Sequence, residues 1–418
     1  MIAQLQKKLS HLFNRRTTAV LLLAISSGLP LALSGATLQA WYATMGVDIH
    51  TIGLLSFVGL PYLYKFLWSP VLDKYPLFRL GKRRSWIFLM QFSLFVTLVI
   101  MACLNPMINP YLLASVALIF NFFSATQDIA IDAYRTDVLP STERGIGATF
   151  NTIGYRFAMI ISGAIAMILA EKIGWQLTYL LMAGIFLIEM IVTLTCPKPV
   201  AEIEKTYSWK EVILGPLREL LSRKYIGLML LFIIFYKFAD ALSLALNTTF
   251  LLRGIGFSLA QVGSVGKLVG LIAALLGSLV GGVALQWLNL YRALLYFGLL
   301  QLASNLLFMW LAIVGRKLLL MAFAVAGENF CGGLATVAFV ALLMGLCDKR
   351  FTATQFAILS AASAVARVVV GPLAAALVSY FGWAMFYFVA FLMGWPIFTV
   401  LLFFKKRINF DAEKIRAI

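Results

Sequence analysis

The chain has 418 residues, of which 62% are hydrophobic and only 12% are charged, and its mean hydropathy is +0.94. A soluble domain is typically about 45–50% apolar and about 25% charged, so this composition excludes an ordinary soluble domain and indicates a large lipid-facing surface. The formal net charge of +17 does not indicate nucleic-acid binding, because Lys and Arg cluster between the apolar segments, as in the cytoplasmic loops of membrane proteins.

The N-terminal segment MIAQLQKKLSHLFNRR is basic and precedes an apolar run from Thr17 to Thr44. A signal peptide has an apolar core of roughly 7–15 residues, so this longer run predicts a first transmembrane helix. Four cysteines fall in or at the ends of apolar runs without a CxxC pair, which predicts neither a disulfide nor a metal site.

Twelve apolar segments are long enough to cross a bilayer, which takes about 20 helical residues. They are residues 17–43, 51–72, 85–104, 111–134, 146–170, 175–196, 225–252, 258–284, 291–314, 318–346, 353–379 and 383–404. A polar, charged loop divides them into six and six. We therefore predict an all-α membrane protein with six-helix bundles at 1–196 and 225–404, a cytoplasmic linker at 197–224 and a cytoplasmic tail at 405–418.

The distribution of basic residues predicts the orientation. With the N-terminus in the cytoplasm, 25 of the 34 Lys and Arg residues lie on the cytoplasmic side and four lie on the outer side. Short cytoplasmic loops carry an excess of Lys and Arg, so both termini are expected in the cytoplasm.

The two halves carry a weak internal repeat. Gly163 precedes a Gly174-Trp175 pair by the same spacing that separates Gly371 from Gly382-Trp383, at an offset of 208 residues. The preceding loops, RGIGATF from residue 144 and RFTATQF from residue 350, match at an offset of 206. Two related six-helix halves are typical of the major facilitator fold, which we therefore predict.

The loop between the second and third segments reads SPVLDKYPLFRLGKRRSW. Asp73, Gly81, Arg83 and Arg84 resemble the major facilitator motif G-x-L-A-D-R-x-G-R-R, with four extra residues in the loop. An acid at the end of one helix can pair with the basic cluster at the start of the next, which would make a gating loop. An ordinary positive-inside loop is the alternative.

Ionisable residues within apolar spans are rare, because a charge at the bilayer centre costs at least ~2.5–3.5 kcal/mol, and they are usually functional. Asp128 and Asp132 lie four residues apart in the fourth segment and share a helix face. Two nearby carboxylates in a low-dielectric site resist simultaneous ionisation, so both are candidates for proton coupling. Alternatively they form ion pairs with Arg135, Lys65 or the basic loop and lock an inner gate.

The second half has its own charged group. Lys237 and Asp240 lie three residues apart in the seventh segment and can pair with each other, either as a neutral structural pair or as part of a substrate or proton site. Glu328, followed by Asn329, lies within the tenth segment without an adjacent cation. We predict Asp240 and Glu328 as further proton-coupling candidates, and Lys237 and Asn329 as substrate contacts.

Arg156 and Arg367 lie in the fifth and eleventh segments, which the repeat relates. A guanidinium is a planar fork that matches carboxylate or phosphate, so the two predict an anionic substrate, unless each pairs with a carboxylate of a neighbouring helix. Gln39, Gln127 and Trp41 are further candidates for substrate binding, since polar edges and aromatic faces suit a glycan.

The sequence lacks the motifs of ATP hydrolysis and of common kinds of hydrolytic catalysis. It contains no Walker A motif, no HExxH and no nucleophile elbow, and both histidines lie outside the apolar spans. We therefore expect a secondary transporter, not an ATP-driven pump or an enzyme, with no cofactor and no metal.

Five stretches closely resemble the AmpG-type muropeptide permeases, in the same order across nearly the whole chain. They are SSGLPLALSGATLQAWY, GLPYLYKFLWSPVLDKY, ATQDIAIDAYRTDVLP, KFADALSLALNTTFLLRGIGF and GENFCGGLATVAFVALLMGLCDKRFTATQFAILSA. Members of this branch of the major facilitator superfamily lie in the Gram-negative inner membrane. They import N-acetylglucosaminyl-1,6-anhydro-N-acetylmuramyl peptides for peptidoglycan recycling, by alternating access and at the expense of the proton gradient.

The resemblance implies an anionic glycopeptide substrate, a bilayer environment and a monomer. Its acidic motif maps to Asp128 and Asp132, its lysine–aspartate pair to Lys237 and Asp240, and its Glu-Asn pair to Glu328 and Asn329. Some members carry two additional central helices where this chain has only residues 197–224. Short relatives import siderophores, so another anionic solute is an alternative substrate, and a membrane sensor that does not transport is a second alternative.

Overall fold

The computed structural model describes residues 14–75, 77, 80–140, 143–198, 218–223, 226–347 and 352–407. The regular structure in these ranges is helical, which confirms the predicted all-α class. Among the described residues, ten helices are long and apolar enough to cross a membrane. Most of the predicted linker and the tail from residue 408 lie outside the described residues.

The helices are labelled in chain order. They are α1 (Arg15–Ser34), α2 (Ala36–Thr44), α3 (Ile49–Leu54), α4 (Leu60–Tyr64), α5 (Ser69–Lys74), α6 (Lys82–Cys103), α7 (Pro110–Val138), α8 (Arg144–Met159), α9 (Ala166–Ile173), α10 (Trp175–Thr195), α11 (Ile226–Ala245), α12 (Asn247–Thr249), α13 (Leu259–Gln261), α14 (Gly270–Ala284), α15 (Leu290–Val314), α16 (Leu318–Leu346), α17 (Thr352–Met393) and α18 (Trp395–Arg407). Short π-helical stretches occupy Ile160–Ile165, Phe250–Gly254 and Val262–Val269.

The chain divides into two compact units. The first consists of residues 1–47 and 58–204, and the second of residues 48–57 and 205–418. The short α3 therefore belongs with the second unit, although it precedes most of the first unit in the sequence. Inside the second unit, Ser56 on the same stretch donates a hydrogen bond to the backbone carbonyl of Val368 at 2.7 Å.

The second predicted segment differs from a regular helix. Residues 49–74 form three short α-helices separated by the 3-10 stretches Leu55–Gly59 and Lys65–Leu67. Pro61 lies in the first turn of α4, where its missing N–H is tolerated, but it cannot donate the hydrogen bond that would continue the preceding turn. This break and the merging of two segments in α17 account for the difference between ten and the predicted twelve spans, so that number stays a prediction.

The Gly-Trp repeat corresponds to the same backbone turn in both units. Gly174 has φ of 83° between α9 and α10, and Gly382 has φ of 75° inside α17. These values lie in the left-handed region that glycine adopts readily and other residues rarely do. Each glycine ends one long helical stretch, and the tryptophan that follows begins the next.

Each unit pairs its helices in a corresponding way. In the first unit α1 packs against α8, and in the second unit α11 packs against α17, so the first and fifth segments pair as the seventh and eleventh do. Glycines allow the closest approaches: a Cβ on Gly154 would lie 2.4 Å from the carbonyl oxygen of Leu21, and a Cβ on Gly333 would lie 2.4 Å from that of Ala274. Such small-residue contacts are how membrane helices pack closely.

Candidate transport site

The first unit positions one carboxylate against a hydroxyl group across two helices. Asp128 on α7 accepts a hydrogen bond from the Oγ of Ser27 on α1 at 2.5 Å. The adjacent residues make a parallel contact, in which Gln127 Nε2 donates to the Oγ of Ser26 at 2.6 Å. Lys65 lies close enough to interact electrostatically with Asp128 but forms no ion pair with it within the described residues. The Asp128 carboxylate is half-buried, accepts a hydrogen bond from a neutral donor and interacts with the more distant Lys65 charge.

A buried polar network continues from Ser26. Gln91 on α6 donates to Ser26 Oγ at 3.1 Å, and Thr193 on α10 donates to Gln91 Oε1 at 2.8 Å. Ser26, Gln91, Thr193 and Gln127 all have relative exposures of 0%. Four helices of the unit are thus connected by hydrogen bonds, and Gln127 lies in the interior of the unit.

The end of the first unit that the charge pattern places in the cytoplasm contains the ion pairs. Asp132 Oδ1 lies 3.2 Å from Arg135 Nη2 on the same helix, and the Asp132 side chain is 58% exposed. Arg83 Nε lies 3.0 Å from Asp137 Oδ2. Asp132 is therefore in a different environment from Asp128, one that suits a gate or surface ion pair.

The predicted gating loop is partly described. Gly81 has φ of 91°, in the left-handed region, and begins the turn into α6. Arg84 is buried and donates from Nε and Nη2 to the backbone carbonyls of Thr193 and Leu194, at 3.1 Å and 2.5 Å. A cation at the carbonyl end of a helix is favourable, so Arg84 joins α6 to the last turn of α10. The side chain of Asp73 lies outside the described residues.

The second unit brings two predicted carboxylates together through an amide. Lys237 Nζ lies 3.6 Å from Asp240 Oδ2. Gln301 Nε2 on α15 donates to Asp240 Oδ1 at 2.8 Å and to Glu328 Oε1 at 3.3 Å. Asn329 Nδ2 donates to Glu328 Oε2 at 2.9 Å, and Glu328 is only 2% exposed.

Beside this cluster lies a cavity of the second unit whose empty space, part of it open to solvent, amounts to about 390 Å³. Its polar lining consists of Lys237, Asp240, Gln301 and Asn305, and its apolar lining includes Tyr236 and Phe398. Lys237 also donates to Thr336 Oγ1 at 3.1 Å and lies 5.7 Å from the ring centroid of Phe339. The charged pair is therefore accessible from this cavity.

The two predicted arginines lie in separate units. Arg156 on α8 is half-buried and Arg367 on α17 is exposed. Neither forms an ion pair with a carboxylate in the part of the chain that the structure describes. Both guanidinium groups are thus available to an anion.

Two further candidates of the first unit have other surroundings. Trp41 is 2% exposed and stacks against Trp175 at 5.9 Å between ring centroids, and its ring centroid lies 4.8 Å from that of Tyr179. It packs inside the unit, so we leave it and Gln127 out of the substrate contacts proposed below. Gln39 is half-buried and has an interaction partner of its own.

Three residues of these clusters received no role from the sequence: Ser27, Gln301 and Lys267. Lys267 donates to Thr248 Oγ1 at 3.2 Å and lies close enough to Glu328 to interact electrostatically. For Gln301 the sequence contains a signal in the spacing of polar residues. Gln301 and Asn305 are two amides four residues apart in an otherwise apolar segment. That spacing places both on one helix face.

The fold and the intramembrane charge clusters define a multi-pass membrane transporter, and the comparisons agree. Residues 20–328 match the Major Facilitator Superfamily. The fold matches the D-xylose-proton symporter with a TM-score of 0.73 at 14% identity, covering 96% of this chain and 99% of that one. It also matches the nucleoside transporter NupG with a TM-score of 0.71, again at 14% identity, covering 94% of this chain and 98% of that one. The chain belongs to the Major Facilitator Superfamily.

The sequence relatives are more specific. The chain is 45% identical over 396 residues to the anhydromuropeptide permease of Escherichia coli strain K12, covering 94% of this chain and 81% of the relative. It is 31% identical over 404 residues to the putative transporter AmpG 4 of Rickettsia felis, covering 94% and 97%. The predicted resemblance to AmpG-type permeases is confirmed, as is the expectation of a transporter instead of an enzyme.

Proposed function

We propose that this protein imports anhydromuropeptides, the disaccharide peptides released by cell-wall turnover, from the periplasm to the cytoplasm. The observation that carries the proposal is the 45% identity to the E. coli anhydromuropeptide permease over 94% of the chain. The arginines support it, because Arg156 and Arg367 are free of described carboxylate partners and a muropeptide bears several peptide carboxylates.

The proposal includes coupling to protons, without a cofactor. Asp128 and Glu328 support it, since each carboxylate is held by neutral hydrogen-bond donors within a membrane segment. Such a group can gain or lose a proton without breaking an ion pair. We also propose that the protein is a monomer in the Gram-negative inner membrane. Both termini are proposed to lie in the cytoplasm, which the distribution of Lys and Arg supports.

The test is uptake of radiolabelled anhydromuropeptide by cells that lack their own permease, with and without this gene. Uptake that requires the gene and collapses on addition of a protonophore is the expected result. Absence of uptake with normal membrane abundance would reject the substrate. Competition by an excess of unlabelled ferric siderophore would instead favour the siderophore alternative, and binding without accumulation would favour a sensor.

A further inference from the structure

Gln301 joins two carboxylates of different helices through a single nitrogen. Its Nε2 lies 2.8 Å from Asp240 Oδ1 on α11 and 3.3 Å from Glu328 Oε1 on α16. Both contacts need the carboxylates as acceptors, and an ionised carboxylate can only accept. The amide orientation therefore fits the state in which Glu328 carries no proton.

The other end of the same amide is unsatisfied. Gln301 Oε1 is buried and has no hydrogen-bond partner in the part of the chain that the structure describes, and the residue is only 7% exposed. Buried polar atoms are almost always hydrogen-bonded, so an orphaned carbonyl at a functional cluster calls for an explanation. A carbonyl oxygen lacks only a donor, and a protonated carboxyl group supplies one.

The two carboxylates differ in how they are paired. Asp240 lies within ion-pair distance of Lys237, whereas Glu328 forms no ion pair with any described side chain. Glu328 can therefore take up a proton without the loss of an ion pair. The titratable or charged side chains that face the site are Tyr236, Lys237 and Asp240 from α11, Lys267 from the π-helical stretch before α14, Glu328 and Cys331 from α16, and Tyr387 from α17.

We infer that Gln301 is a positioning residue that reverses its amide when Glu328 takes up a proton. One proton, delivered as H3O⁺ and leaving H2O, forms one O–H bond on Glu328 Oε1, which then faces the Gln301 NH2 group, donor against donor. A half-turn of the terminal amide brings Oε1 to the place of Nε2, where it accepts from the new O–H. The inference rests on the proposed proton coupling.

The reversal has a consequence for the helices. Gln301 Oε1 would then stand where Nε2 now donates to Asp240, and two acceptors repel. The hydrogen bond from Gln301 to Asp240 is lost, and Asp240 turns to Lys237, 3.6 Å away, in the adjoining cavity. Protonation on α16 therefore removes one hydrogen bond between α15 and α11, while the one from the Tyr236 hydroxyl to the Leu294 carbonyl remains, and so links the proton to a helix contact.

Infrared difference spectroscopy between two pH values tests this on the purified full chain without substrate. In the wild type, the carbonyl band of a protonated carboxyl group, assigned by its loss in Glu328→Gln, should appear together with a change in a glutamine side-chain amide band. Gln301→Met should remove the amide change and move the carboxyl band to higher wavenumber, since the acid has lost its acceptor.

The matched control is Gln91→Met. Gln91 is a buried amide in the first unit that bridges Ser26 and Thr193 and contacts no carboxylate, so both bands should remain. If Gln301→Met does not fold, wild-type protein with 13C-labelled glutamine gives the same answer without a substitution. A carboxyl band with no isotope-sensitive amide change in the labelled wild type would overturn the inference.

The spectroscopy separates this inference from the proposed function. Cells that take up no anhydromuropeptide would reject the function, while the infrared result still decides the role of Gln301. Gene-dependent uptake together with an unchanged glutamine amide band would support the proposed function and reject the inference about Gln301. As a transport readout, Gln301→Met should flatten the pH profile of substrate exchange, a change that a purely structural residue such as Gln91 would not produce.

Discussion

The four carboxylates predicted as proton-coupling candidates fall into two environments. Asp128 and Glu328 accept hydrogen bonds from neutral groups, a serine hydroxyl and two amides. Asp132 and Asp240 lie within ion-pair distance of a cation. A group bound only by neutral donors breaks no ion pair when it gains a proton, whereas an ion-paired group loses its attraction. This difference favours Asp128 and Glu328 as the proton-binding groups of the proposed function.

Replacing Asp128 with asparagine tests that assignment. Asp128→Asn resembles the permanently protonated acid, so accumulation of substrate against a gradient should be lost while exchange across the membrane persists. Both are measured in vesicles that contain substrate on one or both sides. Glu171→Gln, at an exposed position on α9, is the control and should retain both. Loss of exchange and accumulation together, at normal abundance, contradicts the assignment.

The proposed binding of an anionic substrate by the two arginines leads to a second prediction at the residue scale. Arg156→Lys and Arg367→Lys keep the positive charge but lose the planar fork. A charge-assisted hydrogen bond is worth roughly 1.5–3 kcal/mol, so the apparent affinity for substrate should fall about ten-fold or more. Concentration dependence of uptake measures this, with Arg316→Lys, exposed before α16, as the control. Unchanged affinity in both variants excludes a bidentate anchor.

At the scale of helices, the sequence predicted where chain segments cross but not how their backbones bend. Hydropathy counts apolar residues, so the segment containing Pro61 was read as one span although it is broken into short helices. The Gly174-Trp175 repeat is recognisable in the sequence, because a backbone turn with positive φ favours glycine. The sequence does not predict the contacts of Ser27 with Asp128 and of Gln301 with Glu328, because they depend on how each helix is rotated against its neighbour.

Because α1 and α8 approach closely at Gly154, a single added methyl group there should lower the stability of the protein. A Cβ on Gly154 would lie 2.4 Å from Leu21 O and 2.9 Å from Ala24 Cβ. Gly154→Ala should therefore force these helices apart and cost about 1–3 kcal/mol, as overpacking does. A lower midpoint of thermal unfolding in detergent is the expected measurement. Gly184→Ala, where a Cβ would meet nothing within 4 Å, is the matched control.

At the scale of the whole molecule, the sequence contains more information about topology than about the substrate. Six segments on each side of a charged linker, and a repeat at an offset of 208 residues, follow from composition and spacing alone. Substrate identity does not, since Arg156 and Arg367 suit any anion. That part depended on resemblance to known permeases and stays a proposal until transport is measured.

The orientation in the membrane is the prediction that involves the most residues at once. Placing the termini in the cytoplasm leaves four Lys and Arg residues on the outer side, against 25 on the inner side, and the reverse orientation would require translocating those 25. Because basic loops resist translocation, alkaline phosphatase fused at residue 210 should be inactive. A fusion within Leu104–Asn109, between α6 and α7, should be active and is the positive control. Activity at residue 210 would contradict both the orientation and the assignment of the Asp132–Arg135 and Arg83–Asp137 pairs to the cytoplasmic end.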